Sequence, residues 1–252
     1  MIDTHCHLDL EPLVSHLPKI LREAAEAGLS RFVVPAVHPD GLQRMSELAA
    51  EYPCILPAFG VHPMHADCVD ERCMEQLELM APQGVAIGEI GIDPSCAVSM
   101  ALQEAAFRWQ LRLALKLGLP ALIHCRKVFQ RTAQIMREER AEQVGGIMHA
   151  FSGSPEMARE FIKLGFAISI SGTITWANVV KPLRLASETG LEHLVLETDA
   201  PDMTPQVYRR RFNRPAWMAV TASRLAEIKG LPLEKLAEAT TANARRVLRL
   251  DK

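Results

Sequence analysis

The sequence lacks several features that mark particular classes of protein. It contains no apolar run close to the ~18 residues of a membrane-spanning helix. Met1 leads directly into Ile-Asp-Thr-His, without the basic and apolar regions of a secretory signal peptide. The 6 cysteines include no Cys-x-x-Cys pair, which argues against a disulfide framework in a chain of 252 residues. We therefore expect reduced thiols, no membrane association and a cytoplasmic location.

Linkers and a strong charge imbalance are also missing. No Pro-rich or Ser/Gly-rich stretch divides the chain, so we expect one domain over residues 1–252. The formal net charge of −2 gives no general attraction to nucleic acid. A nucleic-acid substrate would have to be held by a local patch and by metal.

What the sequence does contain is an alternation of short apolar runs with longer helical patterns. Several runs are continuously apolar, as expected of parallel strands that are covered on both faces. The pattern predicts the α/β class and a single (β/α)8 TIM barrel, with its active site at the C-terminal ends of the strands. A doubly wound open sheet is the alternative, but no Gly-x-Gly-x-x-Gly follows the first strand. The strand candidates are 1–5, 31–36, 55–60, 84–90, 120–125, 145–150, 166–171 and 193–199.

His5 and His7 stand two residues apart at the end of the first strand candidate. Side chains alternate along a strand, so both imidazoles are expected to point the same way and Cys6 the other way. Such a pair suits a cation such as Zn²⁺. The alternative for so short a motif is a pair of ordinary polar residues at a strand end.

Further ionisable residues occupy the ends of other strand candidates. Glu89, His124, His149 and Asp199 end the fourth, fifth, sixth and eighth candidates. These ends converge on one face of a barrel, and a buried ionisable group without a partner is costly. Together with His5 and His7, they predict a metal site.

The size of this ligand set indicates one or two divalent ions per chain. Four histidines and two carboxylates exceed the needs of one tetrahedral ion that keeps an open position. Glu89 is expected to bridge, because it is the only carboxylate between the two histidine groups in strand order. Asp199 is expected to ligate and to accept a proton from the attacking water. The mixed ligands suit Zn²⁺, Mn²⁺ or Ni²⁺, and Mg²⁺ less well.

The strand ends lie within six motifs, which occur along the chain in the order Ile-Asp-Thr-His-Cys-His-Leu-Asp, Gly-Val-His-Pro, Gly-Glu-Ile-Gly-Ile-Asp, Ile-His-Cys-Arg, His-Ala-Phe-Ser-Gly and Leu-Glu-Thr-Asp-Ala-Pro. This set of motifs resembles the TatD family of metal-dependent hydrolases and deoxyribonucleases, which are amidohydrolase-like TIM barrels. The resemblance runs from Met1 to at least Pro215. It implies a centre of one or two metals with the same six ligands, a catalytic role for Asp199, and places near the substrate for His62 and Arg126.

One basic run with aromatic flanks, residues 208–214, follows the eighth strand candidate. Arg209, Arg210 and Arg211 suit contacts with phosphates, and an aromatic ring beside them suits a base. A solvated loop is the alternative. Arg126 also suits a phosphate oxygen, with a structural ion pair as its alternative.

Three functions remain open at this point. The first is phosphodiester hydrolysis, most simply exonucleolytic on DNA, with single strands or ends as substrate and no obligate protein partner. The second is an amidohydrolase-type reaction on a C–N or ester bond, although many such enzymes bridge their metals with a carbamylated lysine instead of a residue like Glu89. The third is a non-catalytic nucleic-acid-binding protein, which would need no open metal.

The remaining polar residues are assigned lesser roles. Asp93 is a candidate for supporting a metal ligand, and Asp3 and Asp9 are open between that role and capping. His38 and His65 match no motif and are expected to be solvated or capping residues.

Overall fold

The computed structural model describes residues 1–251. Its eight parallel strands pair in sequential order from β1 to β8, without the reversal of order that a doubly wound sheet requires. The predicted (β/α)8 barrel is therefore confirmed, and the open sheet is wrong. The strands are β1 Ile2–Asp3, β2 Arg31–Pro35, β3 Ile55–Phe59, β4 Ala86–Ile92, β5 Ala121–Cys125, β6 Gly146–Met148, β7 Phe166–Ile170 and β8 Leu194–Leu196.

Each strand is followed by an α-helix, and β8 is followed by two. Gly118 ends α4 and Gly230 ends α8 in the left-handed conformation, with φ of 65° and 63°. Leu231 and Pro232 then lead into the last helix. The helices are α1 Leu17–Glu26, α2 Leu42–Glu51, α3 Glu71–Met80, α4 Met100–Leu117, α5 Phe129–Glu138, α6 Pro155–Lys163, α7 Lys181–Glu188, α8 Met218–Lys229 and α9 Leu233–Val247.

The barrel closes through backbone bonds made just beyond its shortest strands. The Thr4 N–H donates to Leu196 O at 3.0 Å, the Asp199 N–H donates to His5 O at 2.9 Å, and the His7 N–H donates to Ala200 O at 2.8 Å. These bonds hold the segment after β1 against the segment after β8. Two of the candidate ligand positions, His5 and Asp199, are therefore tied together by the main chain.

The interior of the barrel is filled by one apolar side chain from every strand. Ala244 and Leu248, from the C-terminal helix and the residue after it, pack against this layer at the N-terminal end of the barrel. Because side chains alternate, the next inward positions lie nearer the C-terminal ends of the strands. The polar cluster is therefore built above an apolar floor of Ile2, Val33, Ala58, Ala86, Leu122, Ile147, Ala167 and Val195.

Within residues 1–251, no helix is long and apolar enough to cross a membrane. The 6 cysteines are all free thiols. Cys6 packs in the layer between barrel and helices, away from the interior, as the alternation of side chains predicts.

Candidate metal centre

The structure gathers seven of the predicted site residues at the C-terminal end of the barrel. The exact strand positions differ from the prediction, because His5, His149 and Asp199 lie beyond the ends of β1, β6 and β8, and Glu89 lies inside β4. The short strands leave these three residues in irregular backbone, where hydrogen bonds between segments fix them. The gathered residues are His5, His7, His62, Glu89, His124, His149 and Asp199.

Glu89 is the centre of this cluster, and its two carboxylate oxygens face different histidines. Oε2 lies 3.1 Å from His5 Nε2 and 3.9 Å from His7 Nε2. Oε1 lies 2.8 Å from His124 Nδ1 and 3.6 Å from His149 Nε2. The side chain thus stands between two pairs of imidazoles, with one oxygen directed to each pair.

A glycine allows β4 to approach β5 this closely. Gly91 has φ 152°, and a Cβ at this position would lie 1.9 Å from the carbonyl oxygen of His124. Any other residue would push the two strands apart. The contact between Glu89 and His124 therefore depends on a glycine two residues further along the strand.

Asp199 faces the cluster from the opposite side. Its Oδ1 lies 3.6 Å from His7 Nε2, 3.7 Å from His149 Nε2 and 3.9 Å from His5 Nε2. The residue has φ 55°, a conformation that aspartate tolerates better than most side chains. The backbone bond to His5 holds it there, so the carboxylate is directed at three imidazoles at once.

The buried donor atoms fit a divalent cation. His5 is fully buried, yet neither of its ring nitrogens has a hydrogen-bond partner. Its Nε2 is near Glu89 Oε2, but the direction does not suit a hydrogen bond. His7 Nδ1 is also buried and unpaired. Unpaired buried polar atoms are costly, and imidazole with carboxylate is the donor set that Zn²⁺ and similar ions accept.

The electrostatics of the cluster agree with this interpretation. Burial opposes protonation of His124, but hydrogen bonds to Asp93 and Glu89 outweigh it and raise the pKa to about 9. Burial likewise opposes protonation of His149, whereas Glu197, Asp199 and Glu89 raise its pKa to about 10. The carboxylates attract protons to the imidazoles in the absence of a metal. A cation would compete with those protons for the same place.

Glu197 is a residue that sequence reasoning missed. It is fully buried; its Oε2 lies 2.9 Å from His149 Nδ1, and its Oε1 accepts from the Ala150 N–H at 2.8 Å. This contact keeps the proton on Nδ1 and leaves Nε2 directed at Glu89 and Asp199. The signal in the sequence was the glutamate two residues before Asp199, which alternation places on the same face.

Asp93 supports His124 in a similar way. Its Oδ2 lies 3.2 Å from His124 Nε2, and its Oδ1 accepts from the Ser95 hydroxyl at 2.6 Å. Arg126 in turn donates from Nη1 to the Ser95 hydroxyl at 3.3 Å.

From the sequence, Asp3 could either support a metal ligand or act as a cap. In the structure Asp3 is buried and accepts two hydrogen bonds from Thr198, at 2.9 Å from the backbone nitrogen and at 2.6 Å from the hydroxyl.

A cavity of about 280 Å³ opens above the cluster. His62 lies at its edge, with Nε2 3.8 Å from Glu89 Oε1. Burial lowers the pKa of His62 to about 4, so this imidazole is neutral at physiological pH. Met64 and Asp202 also line the cavity, so the loops after β3 and β8 form its rim.

The basic run lies outside this lining. Arg209, Arg210 and Arg211 are exposed, and the Arg209 guanidinium stands 5.7 Å from the ring centre of Trp176. Phe212 is 65% exposed, whereas Tyr208 is stacked at 4.1 Å on the ring of Trp217. The run therefore presents three cations and one free aromatic ring to solvent.

The barrel and the cluster at its C-terminal end define the class of protein: a metal-dependent hydrolase. In Bacillus subtilis (strain 168), the "Uncharacterized metal-dependent hydrolase YabD" is 37% identical over 254 residues and is covered over 100% of both chains. The crystal structure of YjjV, a TatD homologue from Escherichia coli K12, superposes with a TM-score of 0.90 at 31% identity, covering 98% of this chain and 97% of that one.

The family follows from the same comparisons. The model of the family described as "TatD related DNase" matches residues 2–249, so this chain belongs to the TatD family. A mouse relative, "Putative deoxyribonuclease TATDN3", is 30% identical over 263 residues, which cover 98% of this chain and 87% of that protein.

Proposed function

We propose that this chain is a deoxyribonuclease that hydrolyses phosphodiester bonds at single-stranded DNA or at DNA ends. The observation that carries the proposal is the position of Glu89, with one oxygen toward His5 and His7 and the other toward His124 and His149. A carboxylate placed in this way can bridge two divalent ions. Asp199 completes the first set of ligands.

Different residues of the site have different roles in the proposed hydrolysis. Two divalent ions in such a centre activate a water molecule and stabilise the charge on phosphate oxygens. Asp199 accepts the proton of the attacking water, because its Oδ1 faces the cluster and its carboxyl group is ionised. Burial opposes this ionisation, but His149 and His7 outweigh it and lower the pKa of Asp199. The neutral His62 at the cavity edge donates a hydrogen bond to the substrate.

Three observations support DNA as the substrate: the description of the family as related to a DNase, the name of the mouse relative as a putative deoxyribonuclease, and the basic run 208–214. The run is attached next to the centre, since Asn213 donates from its side chain to Thr198 O at 2.8 Å and from its backbone to Pro201 O at 2.8 Å. Exposed arginines on this rim can hold backbone phosphates, and Phe212 can stack under a base. Arg126 lies on the same rim, beside Ser95.

The test is a substrate panel on metal-reconstituted protein: single-stranded DNA, duplex DNA, RNA, a small phosphodiester chromogen, and a set of lactones and amides. Degradation of DNA from its ends is the expected result. Turnover confined to lactones or amides would instead establish the amidohydrolase-type reaction. Binding of DNA without any turnover would establish a non-catalytic binding protein.

A triple variant tests whether the arginines of the basic run bind DNA. Changing Arg209, Arg210 and Arg211 to Ser should weaken binding of single-stranded DNA and flatten its salt dependence by ~0.7 in log–log slope for each arginine that no longer meets a phosphate. Turnover of the small chromogen should stay unchanged. Equal losses on both substrates would mean that the loop is structural. The matched control removes three exposed arginines near the C-terminal ends of α5 and α9: Arg137, Arg140 and Arg245.

A further inference from the structure

A second group of metal-ligand side chains lies apart from the Glu89 centre. His38 follows β2, and His65 and Cys68 lie on the 3₁₀ helix Pro63–Cys68 that follows β3. One ligand atom from each of the three lies within 4.8 Å of the others. We propose that His38, His65 and Cys68 bind a further divalent cation of the thiophilic kind, such as Zn²⁺.

The distances suit a tetrahedral ion. Bond lengths of ~2.3 Å for Zn–S and ~2.0–2.1 Å for Zn–N place sulfur and nitrogen ligands about 3.6 Å apart on a tetrahedral edge. His38 Nε2 lies 3.9 Å from Cys68 Sγ. The rings of His38 and His65 are 4.5 Å apart at 84°, so they approach one point from different directions. A contraction of a few tenths of an ångström would bring His38 Nε2 and Cys68 Sγ to the separation of two ligands of one ion.

Asp40 allows His38 to present the nitrogen that a metal needs. His38 Nδ1 now accepts from the Asp40 N–H at 3.1 Å, which places the ring proton of the neutral form on Nε2. The Asp40 carboxylate lies 3.5 Å from the same Nδ1. On binding, Nε2 loses its proton to solvent and Nδ1 takes one up, so the bond from the Asp40 N–H is replaced by a bond that Nδ1 donates to the Asp40 carboxylate. This carboxylate–histidine–metal arrangement is common in protein metal sites.

The charge around Cys68 favours a cation. Its Sγ lies 3.9 Å from Asp67 Oδ1, and Asp40 and Asp70 are close enough to act on it. Burial and these carboxylates raise the pKa of the Cys68 thiol, so it stays protonated until an ion displaces the proton to solvent. Asp67 or water supplies the fourth ligand.

An ion at this position would brace the rim of the main cavity. It would join the loop after β2 to the loop after β3, and Val37 and Met64, next to the ligands in these loops, both line that cavity. The bound ion is therefore structural, and it fixes the segment on which His62 stands.

Cobalt spectroscopy tests the site, because sulfur is absent from the Glu89 cluster. Metal-free protein is titrated with Co²⁺ until all sites are filled, and a thiolate-to-cobalt charge-transfer band in the near ultraviolet is expected with the intensity of one thiolate ligand per chain. The band should disappear in Cys68→Ser and in His65→Ala. It should remain in the matched thiol control Cys54→Ser and in the double variant His5→Ala, His7→Ala.

A band that survives in Cys68→Ser, or the absence of any band in the wild type, would overturn the proposal. The wild type also provides a test without mutation. Zn²⁺ should slow alkylation of Cys68 by iodoacetamide, followed peptide by peptide, and leave Cys54 unchanged. Equal alkylation of Cys68 with and without Zn²⁺ overturns the proposal as well. None of these outcomes depends on the nuclease activity.

Discussion

The buried carboxylate of Glu197 offers a sharp test of how the centre is organised. Glu197→Gln keeps the size of the side chain and its acceptor for the Ala150 N–H, but it places an amide NH₂ opposite His149 Nδ1. Two donors cannot share a hydrogen bond, so the imidazole must move its proton to Nε2 or turn away. Either change removes the nitrogen that faces Glu89 and Asp199.

The expected size of the effect comes from the buried hydrogen bond that the variant breaks. Removing the partner of a metal-ligating histidine costs ~10–100-fold in metal affinity, which corresponds to about 1.4–2.7 kcal/mol. A second effect opposes it, because Glu197 also raises the pKa of His149 and so favours the proton that competes with the metal. That competition fades as the pH rises, so the defect should widen from about pH 7 to about pH 9.

The measurement is a competition titration of metal-free protein against a chelating dye at both pH values. Glu192→Gln is the matched control, since Glu192 has 70% of its side chain exposed and lies shortly before β8. Metal affinity in Glu197→Gln equal to that of Glu192→Gln at both pH values would refute the role of Glu197. A defect that narrows at high pH would show that the proton competition has been misjudged.

Three further predictions concern the ligands themselves. The double variant His5→Ala, His7→Ala should bind less metal, as measured by elemental analysis, and should lose hydrolysis. Its circular dichroism spectrum should show that the fold is retained, and full metal occupancy would refute the assignment. Asp199→Asn should keep near-normal metal content and lose ~10²–10⁴ in rate, whereas wild-type turnover would exclude it as the base. Metal uptake at about pH 7 should release protons from His124 and His149, whose pKa values are about 9 and about 10. Calorimetry in buffers of different ionisation enthalpy measures this release, and its absence would contradict the assignment of both ligands.

The same pKa values set the pH dependence of the metal-free fold. Both histidines have raised pKa values when folded, so their stabilising contribution is complete below the unfolded value of ~6.5. It is lost as the pH rises through about 9 and about 10.

The fold was predictable because each strand is a short apolar run, and the spacing of the helices is regular. The convergence of His124 and His149 follows from alternation along their strands, since Leu122 and Ile147, two residues earlier, line the barrel floor. Glu197 was not predicted because its partner, His149, follows β6, and β7 lies between β6 and β8. The spacing of two residues from Asp199 indicates only which face Glu197 shares, and it does not identify this partner. The roles of Arg126 and of residues 209–211 remain predictions.

The sequence also did not predict the cluster of His38, His65 and Cys68, for a related reason. Its residues come from loops after two different strands, and the sequence separates His38 from Cys68 by a complete helix and strand. The sequence left His38 open between a solvated and a capping role, and the structure gives it the capping role, since its Nδ1 accepts from the Asp40 N–H. The pattern could not show that the cap also stands beside a thiol.

The apolar layer inside the barrel makes the cavity a dead end. Side chains from all eight strands close its floor, and Ala244 and Leu248 seal the layer from beneath. A polymer therefore cannot be threaded through the molecule, and whatever enters must leave through the same mouth. Each product therefore has to leave through this mouth before the next substrate can enter. Product and substrate should consequently compete for the single mouth of the cavity.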